Sequence, residues 1–282
     1  MRELKKIDID ATINSGQVFL WNKINERWYG INGSEILRIS KNPFTLVSSQ
    51  KKPSDIFRQD DDLEKILKSI SRDKLVRSTV LQFPGLRLMK QDPFQCYISF
   101  ICSSNASIPN IKQMLQKLCK KFGEKINFDG YEFFNFPQAE KLSRASLKDL
   151  SSCGLGFRAK YVKKASQDVA SGKINFDFLK ELDYHLAKEK LVETYGIGDK
   201  VADCILLFSL EKLAAFPIDR WTLRILRKYY SDKFDKLIGK SLTRKKYTTL
   251  HEKIVKHFGP FAGYSQQFLF KMERDLNNKK WL

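Results

Sequence analysis

Hydrophobic positions follow two different periods along the chain, and the period changes near residue 60. Residues 17–50 contain short runs of aromatic and β-branched residues, separated by the turn sequences NGS and KNP. This pattern is typical of β-strands joined by tight turns. From residue 60 onward, apolar residues recur every three or four positions, which indicates amphipathic helices. The first helical stripe is formed by Leu63, Ile66, Leu67 and Ile70.

Beyond Asp92, nearly every segment has helical spacing. The spacing predicts helices over roughly 93–103, 108–122, 158–171, 185–194, 199–210, 221–230, 242–257 and 262–275. A further helix near 74–83 could belong to either half of the chain. We therefore predict an α+β fold, with a small N-terminal antiparallel β-sheet domain with helices (residues 1–92) followed by an all-helical domain (residues 93–282).

The charge balance indicates a polyanionic partner. The 282-residue chain has 51 Lys and Arg residues against 32 Asp and Glu, which gives a net charge of +19. Residues 1–92 hold 17 basic and 12 acidic residues, whereas residues 93–282 hold 34 and 20. The excess is concentrated in the predicted helical half, and it favours nucleic acid over a membrane surface. With 42% apolar residues, the chain is not mainly disordered.

Hydropathy and cysteine usage narrow the class of protein further. The chain has no run of about 18 apolar residues, so we expect no membrane span. Its N-terminal residues lack the apolar core of a signal peptide. The five cysteines form no Cys-x-x-Cys pair and there are only three histidines, so we expect no zinc site and no iron–sulfur cluster, and we predict no residue as a metal ligand. Reduced thiols would be typical of an intracellular protein.

The segment from Leu191 to Phe208, LVETYGIGDKVADCILLF, contains the densest turn signals in the chain. One helical stripe ends at Gly196-Ile-Gly198 and a largely apolar helix begins, which predicts a helix-hairpin-helix near 185–210. The glycines would let a phosphate approach the backbone, and the amides at the N-terminus of the second helix could donate to it. A tight helix–helix turn without this role would have the same pattern.

Two residues after this turn suggest chemistry. Lys200 opens the apolar helix, where a cation is disfavoured, so its neutral amine would be more accessible as a nucleophile. The alternative is a solvated lysine or a phosphate contact. Asp219 follows Pro217 at the start of another predicted helix. It could be that helix's N-cap, or a carboxylate near Lys200 that stabilises positive charge on a sugar and assists proton transfer.

These segments resemble a known family. GIGDKVADC followed by FPID is similar to the signature of the helix-hairpin-helix DNA glycosylases with a Gly/Pro-rich loop and a catalytic Asp, the HhH-GPD superfamily. KVADCILLF is close to one branch, the 8-oxoguanine DNA glycosylase/AP lyases. Further matches follow in the family's order: TINSGQVFLW at 12–21, QDP at 91–93, FICSSN at 100–105, GLGFRAKY at 154–161 and GPFAGYSQ at 259–266. The family's fold, a small antiparallel sheet domain before a helical core, agrees with the predicted elements.

The resemblance implies a bifunctional base-excision repair enzyme, both a DNA N-glycosylase and an abasic-site lyase. Its substrate would be double-stranded DNA containing 8-oxoguanine, which must be flipped out of the duplex because its sugar is inaccessible there. Lys200 would attack the sugar C1′, displace the base and form an imine, with Asp219 as its essential partner. β-Elimination would then cleave the strand. We expect a monomer that needs no cofactor and no membrane.

The resemblance also implies a base pocket. Gly16 would supply a backbone carbonyl that accepts the N7 hydrogen of 8-oxoguanine, which guanine lacks. Gln266 would read the Watson–Crick edge, Phe270 and Cys204 would form the two walls around the base, and Pro217 would also lie at the pocket. Without the family, Phe270 and Cys204 could be core residues and Gln266 a surface amide.

The remaining implied roles concern the duplex. Asn105 would enter the space that the flipped base leaves, Phe157 would act as an aromatic wedge, and Arg158 would read the orphan cytosine. Three hairpin residues would bind a backbone phosphate through their amides: Gly196, Gly198 and Val201.

Two positions depart from the family's pattern. Asn110 stands where the animal enzymes have a second cytosine-reading arginine, and Trp221 stands where the family has a histidine. Opposite-base specificity and one phosphate contact are therefore undecided.

The alternative functions are a glycosylase for another damaged purine and a non-catalytic helix-hairpin-helix DNA-binding protein. The pair Lys200 and Asp219 argues against the latter, because binding alone needs neither.

Overall fold

The N-terminal part of the chain forms a short helix and a four-stranded antiparallel sheet. The computed structural model describes residues 7–41, 43–238 and 242–277. The first elements are helix α1 (Ile9–Ile13) and strands β1 (Trp21–Ile24), β2 (Arg27–Asn32), β3 (Glu35–Ser40) and β4 (Thr45–Ser48). The strands are ordered β1-β2-β3-β4, and each neighbouring pair is antiparallel. The expected strand character at residues 17–20 is wrong, because Gln17 ends the turn that follows α1 and residues 18–20 form an irregular segment before β1.

Helices form most of the remaining described chain. Those before the hairpin turn are α2 (Leu63–Ile70), α3 (Lys74–Gln82), α4 (Pro93–Cys102), α5 (Ile108–Phe122), α6 (Ala139–Arg144), α7 (Leu147–Leu150), α8 (Arg158–Ala170), α9 (Phe176–Glu181) and α10 (Tyr184–Val192). Those after it are α11 (Asp199–Phe208), α12 (Arg220–Tyr229), α13 (Ser231–Phe234), α14 (Arg244–Phe258) and α15 (Ala262–Leu276). A π-helical turn covers Ser151–Leu155, and a 3-10 turn covers Asp235–Leu237. The predicted α+β fold, a sheet followed by a helical core, is confirmed.

One β-hairpin interrupts the helical part and contradicts the expectation of helix throughout. Strands β5 (Lys125–Phe128) and β6 (Tyr131–Phe134) pair antiparallel around an Asp-Gly turn. Asp-Gly between aromatic and β-branched residues is a strong hairpin signal, so the sequence did carry the information. The hairpin contacts the first sheet through Asp129, which accepts hydrogen bonds from Tyr29 (2.5 Å) and Arg38 (2.7 Å).

The hydrophobic core of the helical part extends into the N-terminal residues. Ile66 on α2 and Val76 on α3 belong to the same buried cluster as α11 and α15. Helix α3, whose membership the sequence left open, packs against α15. A smaller cluster lies under the sheet and includes Trp28 and Leu37. Burial of α11 on all sides makes this helix a rigid support for whatever its first turn carries.

Candidate active site

A cavity of about 830 Å³ collects residues from distant parts of the chain. Its walls come from the turn after α1, the α4–α5 loop, helix α11, the loop before α12 and helix α15. Both predicted catalytic residues, Lys200 and Asp219, line it. The predicted base-pocket residues line it as well: Gly16, Cys204, Pro217, Gln266 and Phe270. The fold therefore brings the predicted chemical and recognition residues into one space.

Lys200 lies in the first turn of α11 and has an oriented partner in the α4–α5 loop. Its Nζ donates a hydrogen bond to Ser103 Oγ at 3.3 Å. The Ser103 hydroxyl donates its own proton to the carbonyl of Phe100 at 2.7 Å, so an oxygen lone pair is left for the amine. The amine also lies 5.3 Å from the centroid of the Phe100 ring. Ser103 was not predicted as a site residue, although it lies within the matched segment FICSSN.

Asp219 is the N-cap of α12, and the cap uses only one of its oxygens. Oδ1 accepts hydrogen bonds from the amides of Trp221 (2.9 Å) and Thr222 (2.8 Å). Oδ2 accepts none from the residues that the structure describes. Since Asp219 is only partly buried and lines the cavity, the capping role and a chemical role are compatible.

The pocket residues differ in polarity. Burial raises the pKa of the Cys204 thiol to about 12, with Lys200 as a smaller opposing influence, so Cys204 is an uncharged wall. Phe270, on α15, offers a half-buried ring. Gln266 is 6% exposed, and its Oε1 has no hydrogen-bond partner among the described residues. A buried polar atom without a partner costs free energy, so a ligand group that pairs with it would be favoured.

At Gly16 a side chain is disfavoured both by the backbone conformation and by close neighbouring atoms. Its φ of +88° lies in the left-handed region that favours glycine. A Cβ there would also lie 2.8 Å from Arg274 Nη1 and 3.0 Å from the Phe270 ring. Two side chains of α15 hold this turn through backbone carbonyls: Gln267 donates to Ser15 at 3.0 Å, and Arg274 donates to Asn14 at 3.1 Å. The turn that places Gly16 at the cavity wall is thus held by α15 through the carbonyls of Asn14 and Ser15.

The residues implied to hold the duplex open lie beside the cavity as one unit. Asn105 is exposed, lines the cavity and has a φ of +52°, an uncommon backbone conformation that is enriched at functional sites. Arg158 donates to the carbonyl of Ser104 from Nη2 and from Nε, the latter at 2.9 Å. Its guanidinium also lies 4.4 Å from the ring of Phe157, which is 51% exposed. Phe157 and Arg158 do not line the cavity itself.

The two hairpin glycines are needed for different physical reasons. Gly196 has a φ of +92°, and a Cβ there would lie 2.5 Å from the Tyr161 ring. Gly198 has ordinary backbone angles and open space around it, which leaves room for an external group. No side chain caps α11, so its first amides are available, including that of Val201 at the edge of the cavity.

The two departures from the family are both placed by the structure. Trp221 lines the cavity, and its ring lies 4.7 Å from the guanidinium of Arg224. Asn110 is exposed in the first turn of α5, and its amide donates to Ser107 Oγ at 3.4 Å.

Within residues 7–41, 43–238 and 242–277, no helix is long and apolar enough to cross a bilayer. The same residues contain no group of three or more His, Cys, Asp or Glu arranged to hold a metal. All five cysteines are buried and unbridged.

Comparisons with known proteins give consistent matches. Residues 98–252 match the family described as HhH-GPD superfamily base excision DNA repair protein. Residues 2–97 match the family described as 8-oxoguanine DNA glycosylase, N-terminal domain.

Three similar proteins extend over most of the chain. An N-glycosylase/DNA lyase from Arabidopsis thaliana is 29% identical over 95% of this chain and 78% of its own length. A probable N-glycosylase/DNA lyase from Methanothermobacter thermautotrophicus is 32% identical over 72% of this chain and 68% of its own. The crystal structure of the Clostridium acetobutylicum 8-oxoguanine glycosylase/lyase, in complex with double-stranded DNA containing cytosine opposite 8-oxoguanine, superposes with a TM-score of 0.86 at 30% identity. It covers 96% of this chain and 93% of that one.

Proposed function

The chain belongs to the HhH-GPD superfamily of base excision DNA repair proteins, and from that premise we propose that it excises 8-oxoguanine from duplex DNA and cleaves the strand at the resulting abasic site. The observation that carries this proposal is the cavity, where Lys200 and Asp219 lie together with Gly16, Gln266 and Phe270. A binding module would not need an amine and a carboxylate there. The similarity to 8-oxoguanine glycosylase/lyases supports this substrate over another damaged purine.

Duplex binding begins with the backbone. The net charge of +19 attracts DNA, and the uncapped amides of α11, with the open space at Gly198, bind one phosphate. Phe157 enters the base stack as an exposed wedge, while Asn105 occupies the space of the extruded nucleotide. Arg158 reads the orphan cytosine with the donors that remain after its bonds to the carbonyls of Ser104 and Leu155.

Recognition of the flipped base takes place between Phe270 and Cys204. The carbonyl of Gly16 accepts the N7 hydrogen of 8-oxoguanine. Guanine presents an N7 lone pair to the same carbonyl, and such an unsatisfied contact costs about 1–3 kcal/mol. Gln266 pairs its free Oε1 with the Watson–Crick edge. The hydrogen bonds from α15 to the neighbouring carbonyls of Ser15 and Asn14 hold the turn that presents Gly16, which supports a selective contact.

The chemistry starts with the neutral amine of Lys200. Its lone pair forms a bond to C1′ while the glycosidic bond breaks, and the electron pair of that bond leaves with the base, which takes up a proton. Asp219 stabilises the positive charge that develops on the sugar through Oδ2, the oxygen that takes no part in the helix cap. One amine proton passes to the departing base and the other to the ring oxygen as the C1′–O4′ bond breaks, which gives the imine. A C2′ proton then passes to the Asp219 carboxylate, a double bond forms between C2′ and C3′, and the 3′ phosphate leaves with the electron pair of its bond to C3′. Water hydrolyses the imine to release the enzyme.

The test is incubation with a duplex that carries one 8-oxoguanine, with and without borohydride. We expect strand cleavage without borohydride and a covalent protein–DNA adduct with it, because borohydride reduces the imine to a stable amine. The same duplex with guanine in place of the lesion is the control. Binding without cleavage or adduct would instead support the non-catalytic DNA-binding function.

Four accompanying features stay predictions. We propose that the protein acts as a monomer, since residues of one chain complete the cavity. We also propose that it works without a cofactor, in the cellular compartment that contains DNA. The domain division at residues 1–92 and 93–282, with the helix-hairpin-helix near 185–210, belongs to the same proposal.

Phe270→Ala should weaken lesion binding more than binding to undamaged duplex. The substitution removes one stacking wall, and such stacking contributes about 1–3 kcal/mol per base. Fluorescence anisotropy with both duplexes measures the difference. Phe178→Ala removes an exposed ring (57%) outside the cavity and should change neither affinity. Equal weakening of both duplexes by Phe270→Ala would place this residue in the core or on a general DNA surface.

The departure at Asn110 should relax opposite-base specificity. One good bidentate contact contributes about 1–3 kcal/mol of discrimination, so its loss reduces the cytosine preference by about one to two orders of magnitude. We expect excision opposite cytosine and also, appreciably, opposite at least one other base. Single-turnover excision from four duplexes that differ only in the opposite base measures this preference. Strict cytosine dependence would mean that another side chain supplies the missing contact.

Asn110→Arg should restore the sharper cytosine preference. The residue is exposed at the start of α5, so the longer side chain can be accommodated without disturbing the core. Gln116→Arg adds the same charge at another exposed position of this helix and should leave the preference unchanged. A general gain in affinity in both variants would indicate a charge effect rather than base reading.

A further inference from the structure

A buried polar network lies against the cavity and involves none of the predicted site residues. Its centre is Asp203, which follows Lys200 by three residues on α11 and is 0% exposed. Oδ1 accepts a hydrogen bond from the Tyr184 hydroxyl at 2.7 Å. Oδ2 accepts one from the Tyr247 hydroxyl at 2.5 Å and one from Lys188 Nζ at 3.1 Å. The network thus connects α11 with α10 and α14.

The same network reaches the loop that carries Asp219. The amide of Ile218, directly before Asp219, donates to the Tyr247 hydroxyl at 3.0 Å. The amide of Phe216 donates to His251 Nε2 at 3.2 Å. Two backbone amides of this short loop are therefore held by side chains of α14.

The protonation states suit these roles. Burial raises the pKa of Tyr247 well above its ordinary value of 10, with the charge of Asp203 as the next cause, so the hydroxyl keeps the proton that it donates. Burial lowers the pKa of His251 to about 3, so its ring is neutral and Nε2 can accept from an amide. The His251 ring also stacks on Tyr184, with centroids 4.8 Å apart and an interplanar angle of 7°.

We infer that Asp203, Tyr247 and His251 are positioning residues for Asp219, an inference that rests on the proposed function. A continuous chain of hydrogen bonds runs from the helix of Lys200 through Asp203 and Tyr247 to the amide next to Asp219. Hydrogen bonds are directional, and in a dry interior they fix the loop more tightly than apolar contacts would. The network thereby sets the separation between the amine and the carboxylate.

Two substitutions test the loop side of the network. Tyr247→Phe keeps a ring at the cavity wall but leaves the Ile218 amide without its acceptor. His251→Phe keeps a ring on Tyr184 but leaves the Phe216 amide without its acceptor. A misplacement of about 1 Å can cost about 10²-fold in rate. We expect each variant to slow single-turnover excision of 8-oxoguanine at least about tenfold, with lesion-duplex affinity changed less than about threefold.

Tyr184→Phe is the matched control. It removes one hydrogen bond to Asp203 and the contact of the Tyr184 hydroxyl with His251 Nε2 at 3.0 Å. Both loop amides keep their acceptors, because Tyr184 contacts no amide of the loop and does not line the cavity. We expect a similar fall in melting temperature with an excision rate within about threefold of the unmodified protein. Melting curves for all three variants confirm that each is folded at the assay temperature. If Tyr247→Phe is not folded at that temperature, the excision rate of His251→Phe tests the inference.

A double variant separates positioning from general loosening of the structure. If Tyr247 acts through Asp219, then Tyr247→Phe should add less than about threefold to the loss already caused by Asp219→Asn. If Tyr247→Phe slowed excision as much in the Asp219→Asn protein as in the unmodified protein, the inference would be overturned. Equal slowing by Tyr184→Phe would overturn it too, and so would an unchanged rate in both Tyr247→Phe and His251→Phe. Failure of the unmodified protein to cleave lesion duplex would instead count against the proposed function, so the two failures are distinguishable.

Discussion

Lys200→Gln is expected to form no covalent adduct with 8-oxoguanine duplex in the presence of borohydride, while still binding that duplex. Only a primary amine can form the imine that borohydride reduces, and a glutamine amide is not nucleophilic. Binding should persist because the uncapped amides of α11 and the walls of the pocket are unchanged. Gel electrophoresis under denaturing conditions detects the adduct, and anisotropy measures the affinity.

The control for this result is Lys160→Gln. Lys160 is an exposed lysine beside the hairpin, with its Nζ 5.8 Å from the Tyr195 ring, so the substitution removes the same charge from the same face. It should lower affinity slightly and leave the adduct intact. An adduct of undiminished yield in Lys200→Gln would exclude Lys200 as the nucleophile, whatever its place in the cavity.

Asp219→Asn is expected to slow excision by about 10²-fold or more, the range of general acid–base and electrostatic contributions. Asparagine has nearly the same shape and caps helices about as well as aspartate, so the stability of α12 should change little. Single-turnover excision gives the rate, and thermal unfolding gives the stability. The two measurements together separate the charge of Asp219 from its capping bonds.

Asp183→Asn provides the matched control for capping. Asp183 caps α10 in the same way, since its Oδ1 accepts from the amides of His185 and Leu186, but it does not line the cavity. This variant should reproduce the small change in stability without the loss of rate. Near-normal excision by Asp219→Asn would leave Asp219 with the cap as its only role.

Local signals in the sequence were sufficient for most elements. Helical spacing and the Gly196-Ile-Gly198 turn predicted α11 and the helix before it, and the position of Asp219 after Pro217 predicted a cap that the structure contains. The β5–β6 hairpin departs from the expected helix, because its Asp-Gly turn determines the local backbone more strongly than the apolar spacing around it. A strand is the expectation at residues 17–20, but they form the end of the turn that contains Gly16 and the irregular segment that leads to β1.

Most elements, the basic character and, through the resemblance to a family, the residues that meet in the cavity could be predicted from the sequence. Periodicity, caps and turns depend on neighbouring residues, so they can be read locally. The contacts that hold the cavity residues could be seen only once the helices were packed together. Ser103 faces Lys200, Arg274 holds the turn of Gly16, and Asp203 connects α11 to the loop of Asp219. Such contacts depend on how separate helices pack, and Asp203, an ordinary polar position within α11, carries no local mark of its partner on α14.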